Sequence, residues 1–145
     1  IYGMIGGQVT DVRETGHKLS REKLDFIYAL KTGALIESSM MIGAVLAGAS
    51  EEEIKQAEKI AAKTGFAFQV QDDILDVTST SETLGKPVHS DEKNEKTTYV
   101  TLVGIEEAKK IVERESEEAI RILETLPGEK GYLTWLLEEL IHREK

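Results

Sequence analysis

Gln69, Asp72, Asp73 and Asp76 lie together in FQVQDDILDV, residues 68 to 77, with no lysine or arginine within a helical turn. At 100° per residue the four side chains share an arc of roughly 100°. Phe66, Ala67, Phe68, Val70, Ile74, Leu75 and Val77 cover most of the remaining circumference, interrupted by Gln71. A solvated helix face normally mixes signs, with lysines four residues from carboxylates. Here the arc is acidic only. Asp72 and Asp76 repel at i,i+4 by about 0.2–0.5 kcal/mol, and carboxylates near a helix end meet the negative pole of its dipole. Uncompensated departures of this kind mark functional sites. A hard divalent cation removes both penalties, and Mg²⁺ takes carboxylate oxygens that it shares with a substrate phosphate. An acidic stripe facing solvent is the other account of the same residues.

A cationic set accompanies the arc. Lys31 is the only cation between Lys23 and Lys55, on a segment apolar nearly all round. Lys86 follows Gly85 just after the acidic segment, and Lys96 stands ten residues further on. Lone lysines on apolar helices ordinarily snorkel to the surface, and loop lysines are ordinarily solvated. Beside a carboxylate-held metal, however, they suit a diphosphate: the metal bridges carboxylate and phosphate while lysines take the other oxygens. Gln8 and Asp11, at i and i+3, form a further polar pair that an exposed helix face explains equally well.

The elements that must position these groups are helical. Residues 2–14 read as the end of a helix, broken at Thr15-Gly16. Ser20 can cap a helix over 21–47 that stops at Gly48. Ser50 with Glu53 fits a capping box for a long helix over 51–77, with Gly65 inside it. Residues 78–95 show no period and read as a long loop, a length usually tied to function or disorder. TTYVTLV, 97–103, reads as strand by propensity, yet no second convincing strand exists, so a short helix stays open. An amphipathic helix over 105–125 ends at Pro127-Gly128, and YLTWLLEELIHR forms a last helix. The fold class is all-α.

With 145 residues and 40% hydrophobic composition, the chain suits one soluble domain rather than disorder. Its net charge of −9 argues against nucleic acid as a partner. The absence of cysteine excludes disulfides and thiolate chemistry. IYGMIGGQVTDV lacks the basic and apolar regions of a signal peptide and begins as if within a helix, so a fragment is expected. Residues 26–47 are long and apolar enough for a membrane span, but Lys31 and Glu37 each cost about 2.5–3.5 kcal/mol at a bilayer centre. A soluble helix buried on most sides is expected instead.

Taken in order, GGQVTD (6–11), KTGALI (31–36), FQVQDDILD (68–76), LGK (84–86) and DEKNEKTTY (91–99) resemble the C-terminal half of the trans-isoprenyl diphosphate synthases. The likeness is closest to the bacterial farnesyl diphosphate synthases and extends over essentially all of residues 1–145. It implies the C-terminal portion of a helical bundle around a central cavity, in which Mg²⁺ ions hold an allylic diphosphate for attack by isopentenyl diphosphate. It also implies a cytoplasmic enzyme, homodimeric when full-length, that neither spans a membrane nor binds nucleic acid.

Residue by residue, the resemblance makes Asp72 a direct Mg²⁺ ligand, supported by Asp73 and Asp76. Lys31, Lys86 and Lys96 would bind diphosphate, and Thr32 and Gln69, with the Lys31 backbone, would face the allylic cation. Gln8 and Asp11 would line the cavity. Asp91 and Lys96 would belong to a loop that closes over substrate, and the basic tail at Arg143 and Lys145 would assist. The resemblance favours helix over strand for 97–103. The family's first aspartate-rich motif is absent from this chain, His89 stands where related loops carry glycine, and Val100 stands where proline is common. The alternatives are a geranylgeranyl or other short-chain product, a non-catalytic synthase-like subunit, and an acidic helical interaction module.

Overall fold

Two serines start helices as their hydroxyls predict. Ser20 Oγ accepts from the Lys23 amide at 3.3 Å. Ser50 Oγ accepts from the Glu53 amide at 3.4 Å while Glu53 Oε2 accepts from the Ser50 amide at 2.6 Å, a complete capping box. The computed structural model describes residues 2–79 and 96–143. In chain order its helices are α1 (Met4–Arg13), α2 (Arg21–Tyr28), α3 (Ala34–Leu46), α4 (Glu51–Thr78), α5 (Tyr99–Val103), α6 (Ile105–Thr125) and α7 (Gly131–His142). Among the described residues there is no strand, so the fold is all-α as expected.

Helix α4 is the axis of the fold. It packs most extensively on α6, then on α3, and also meets α7, α5 and α2. Ile60, Ala67, Val70 and Ile74 of α4 join Ala108, Ile111, Val112, Ala119 and Leu123 of α6 in one buried cluster. Leu24, Ile27, Tyr28, Tyr99 and Leu137 complete it. The spacing of these residues follows the 3.6-residue period, which is why each helix could be read from its sequence. Lys63 of α4 pairs with Glu115, at 3.0 Å, and with Glu118 of α6 at the edge of this seam.

Two features differ from the sequence-based expectation. Residues 21–46 are not one uninterrupted α-helix, because Ala29–Gly33 forms a π-helical turn between α2 and α3. Helix 21–47 is also not buried on most sides. No residue of α3 is fully buried, and Leu46 is 82% exposed. The physical reason is that α4 is the main neighbour of α3, while α1 packs on the π turn rather than along α3. Arg21–Leu46 remains long and apolar enough to cross a membrane by length and composition alone. As expected for 51–77, α4 runs unbroken through Gly65 over Glu51–Thr78.

The ambiguity at 97–103 resolves as helix. Thr98 Oγ1 accepts from the Thr101 amide at 3.2 Å, and Thr101 Oγ1 accepts from the Thr98 amide at 2.9 Å. β-Branched side chains here serve as caps rather than as ladder partners. Gly104, at φ 82°, ends α5 and admits the turn into α6.

Because Ile60 is fully buried where α4 meets the core, Ile60→Ala should lower unfolding free energy by about 2–5 kcal/mol. A denaturant titration showing a lower midpoint at unchanged m-value checks this. A loss below about 1 kcal/mol would show that the site collapses around the gap.

Candidate functional site

Three segments bring charge to one cleft. Helix α1 supplies Asp11, the π turn supplies Lys31, and Lys96 lies three residues before α5. Lys31 Nζ donates to Asp11 Oδ2 at 2.7 Å, and Lys96 Nζ lies 3.3 and 3.2 Å from Asp11 Oδ1 and Oδ2. Burial alone would raise the Asp11 pKa, but the hydrogen bond and charge of Lys31, joined by Lys96, outweigh it. The carboxyl is held below its ordinary value of 3.8.

The acidic arc of α4 faces the same region, but its carboxylates have different surroundings. Asp72 Oδ1 accepts from Arg143 Nη2 at 3.0 Å. The Arg143 guanidinium stacks on the Phe68 ring, 3.9 Å from its centroid, and Gln71 Nε2 donates to the Arg143 carbonyl at 3.4 Å. Asp73 is buried. Its Oδ2 accepts from the Tyr28 hydroxyl at 2.6 Å and from the Tyr99 amide at 2.8 Å. Asp76 is only 2% exposed. The Tyr99 phenol hydrogen-bonds Asp25, and burial first, then that carboxylate, pushes its pKa up to about 12.

A cavity of about 80 Å³ is lined by Asp11, Glu14, Tyr28, Lys31, Gln69, Asp72, Asp73, Lys96 and neighbouring residues. A second, of about 590 Å³, shares Leu19, Asp73, Lys96, Thr97 and Thr98 with it and adds Asp76. That volume is in the range of small-molecule pockets. The expected residues Lys31, Gln69, Asp72, Asp73, Lys96 and Asp11 therefore meet at the first cavity, and Asp76 at its neighbour. Thr32 sits in the π turn beside Lys31 but does not line either cavity, and Gln8 is exposed on α1. Lys86, His89, Asp91 and Lys145 lie outside the described residues.

Tyr28, Tyr99 and the Thr97-Thr98 pair were not singled out by sequence. One signal was available: a carboxylate in an apolar helix needs donors, and tyrosines in flanking segments are natural sources.

Four carboxylates and two lysines in the first cavity make it acidic on balance. That excess of negative charge opposes an anion entering alone. Its oxygen donors are the hard type that Mg²⁺ prefers, and Asp72 already takes a positive partner in Arg143. Among the described residues no three acidic or histidine side chains gather at one point. The donor set fits a magnesium ion whose remaining ligands come from elsewhere.

Residues 1–134 match the Polyprenyl synthetase family model. The chain is 43% identical over 130 residues to the chloroplastic geranylgeranyl pyrophosphate synthase of Capsicum annuum, covering 89% of this chain and 35% of that protein. It is 34% identical over 142 residues to the farnesyl diphosphate synthase of Geobacillus stearothermophilus, covering 98% and 48% respectively. The crystal structure of a geranyltransferase from Helicobacter pylori, complexed with magnesium and isoprenyl diphosphate, superposes with a TM-score of 0.77 at 36% identity. That match covers 97% of this chain and 45% of the other. The chain spans less than half the length of each of these relatives.

With its folded pKa below 3.8, Asp11 stabilises the fold above that pH, and the contribution is lost as pH falls through the folded value. Thermal unfolding of the wild type and of Asp11→Asn should therefore differ near pH 7 and converge below about pH 3.8. A gap that persists unchanged into strong acid would locate the effect outside this charge.

Proposed function

The chain belongs to the polyprenyl synthetase family, and we propose that it forms the C-terminal, diphosphate-binding half of a prenyltransferase domain in its full-length protein. The reaction would join an allylic diphosphate, dimethylallyl or geranyl, to isopentenyl diphosphate. The allylic C–O bond breaks, the isopentenyl double bond forms the new C–C bond, and a proton leaves the product. The observation that carries this reading is the meeting of Lys31 and Lys96 with Asp72 and Asp73 at one cleft.

Magnesium, when bound, supplies Lewis-acid stabilisation of the negative charge that develops on the leaving diphosphate. Asp72 would hold it, with Asp73 and Asp76 in support. Asp73 also fixes the site's frame, because its Oδ2 ties α4 to Tyr28 of α2 and Tyr99 of α5. Lys31 and Lys96 now share the charge of Asp11. A diphosphate carries more charge than one carboxylate and would draw both ammonium groups to its oxygens, with Lys86 as a further ligand. Thr32, Gln69 and the backbone at Lys31 would turn oxygen dipoles toward the allylic cation. Asp11 would hold the lysines in place between turnovers, with Gln8 beside it on α1.

A farnesyl product is the finer reading, supported by the likeness to the Geobacillus enzyme. The higher identity to the Capsicum protein favours a geranylgeranyl product as the second reading. Chromatography of products from the full-length protein distinguishes them. Cytoplasmic, homodimeric action of the full-length protein belongs to this proposal too.

In the full-length protein, Asp72→Ala should lower turnover by roughly a hundred- to a thousandfold, the scale of losing one charge-stabilising group. Helix content should not change. A fall below about tenfold, equal to about 1.4 kcal/mol, would remove Asp72 as a principal metal ligand.

Calorimetry with an allylic diphosphate gives a second test. Binding should be tight with Mg²⁺ and weak in EDTA, because an acidic cleft with too few metal ligands needs both partners at once. Equal affinity in both conditions would contradict it.

A further inference from the structure

The π turn at Ala29–Gly33 carries Lys31 and Thr32. Such turns are rare within α-helices and recur at functional sites, and something outside the turn must hold one in place. Two glycines from other helices touch it. A Cβ at Gly7 of α1 would lie 2.3 Å from the Lys31 nitrogen and 2.8 Å from the Leu30 carbonyl carbon and Lys31 Cα. A Cβ at Gly65 of α4 would lie 3.0 Å from Gly33 Cα and 3.5 Å from Ile36 Cδ1. Both glycines are buried, and neither has the positive φ seen at Gly16, Gly48, Gly104 and Gly128. Backbone conformation therefore does not require glycine at either position, although interior glycine weakens a helix. Gly43 of α3 shows the contrast, with nothing within 4 Å of its missing Cβ.

We propose that Gly7 and Gly65 are positioning residues that clasp the π-turn backbone from two sides and so aim the Lys31 amine into the cleft. Gly7 and Asp11 stand at i and i+4 on α1, one face of a helix. One helix thus supplies both the backbone contact behind Lys31 and the carboxylate that receives its ammonium group. The functional part of this inference rests on the diphosphate reading above; the clasp itself rests on the backbone contacts.

The test uses the full-length protein and its Gly7→Ala variant with two readouts. Amide hydrogen exchange over residues 29–33 should quicken by about tenfold or more while exchange in α6 is unchanged. Affinity for inorganic pyrophosphate with Mg²⁺ should fall by about tenfold or more, the scale of a lost charged hydrogen bond. The double variant Gly7→Ala/Lys31→Ala should bind no more weakly than Lys31→Ala alone, because the glycine acts through the lysine. Unchanged exchange at the turn, or losses that simply multiply in the double variant, would overturn the inference. If Gly7→Ala does not fold, Gly65→Ala, whose added methyl makes a milder approach, is judged by the same criteria. Wild-type protein that fails to bind magnesium pyrophosphate would sink the diphosphate reading, while the exchange comparison would still decide the clasp.

Discussion

A carboxylate sunk in an apolar helix must be met by hydrogen bonds, since leaving one without donors is among the most unfavourable things a core can contain. Asp73 is where this fold meets that requirement. Its Oδ2 takes the Tyr28 hydroxyl and the Tyr99 amide, so one oxygen fastens α2, α4 and α5 together. Tyr99 is itself fully buried, with its ring edge-on to Phe66 at 5.1 Å between centroids. The position of Lys96, three residues before Tyr99, follows from that anchor.

Much of this was legible in sequence because it depends on local chemistry. Ser20 and Ser50 announce helix starts, Gly16, Gly48, Gly104 and Gly128 mark breaks, and the acidic arc of α4 is a matter of angular spacing alone. What was not legible depends on contacts between distant segments. Nothing in the period of 21–47 separates an α-helix from one interrupted by a π turn, because the turn is supported by Gly7 and Gly65 from elsewhere. TTYVTLV carries strand propensity, and only the Thr98–Thr101 cap and the Asp73 contact decide for helix. Pattern showed that Asp11 and Arg143 are charged. It could not show that the first would hold two lysines and the second would stack on Phe68.

The charge distribution has a logic of its own. A chain of net charge −9 keeps two of its lysines at an acidic cleft. A fixed carboxylate beside them keeps their positive charge in place and limits the reorganisation needed when a more highly charged anion arrives. Arg143 plays the converse part at Asp72, placing positive charge on an α4 carboxylate.

The pairings at the cleft also join residues remote from each other along the chain. Asp73 is 45 positions from Tyr28, Asp72 is 71 from Arg143, and Asp11 is 85 from Lys96. Helices propagate through near neighbours and form early, whereas closures of this span are entropically demanding and slow. The cleft is accordingly complete only once these distant segments have come together. A preparation can keep its full helical signal after it has lost the geometry that binding needs.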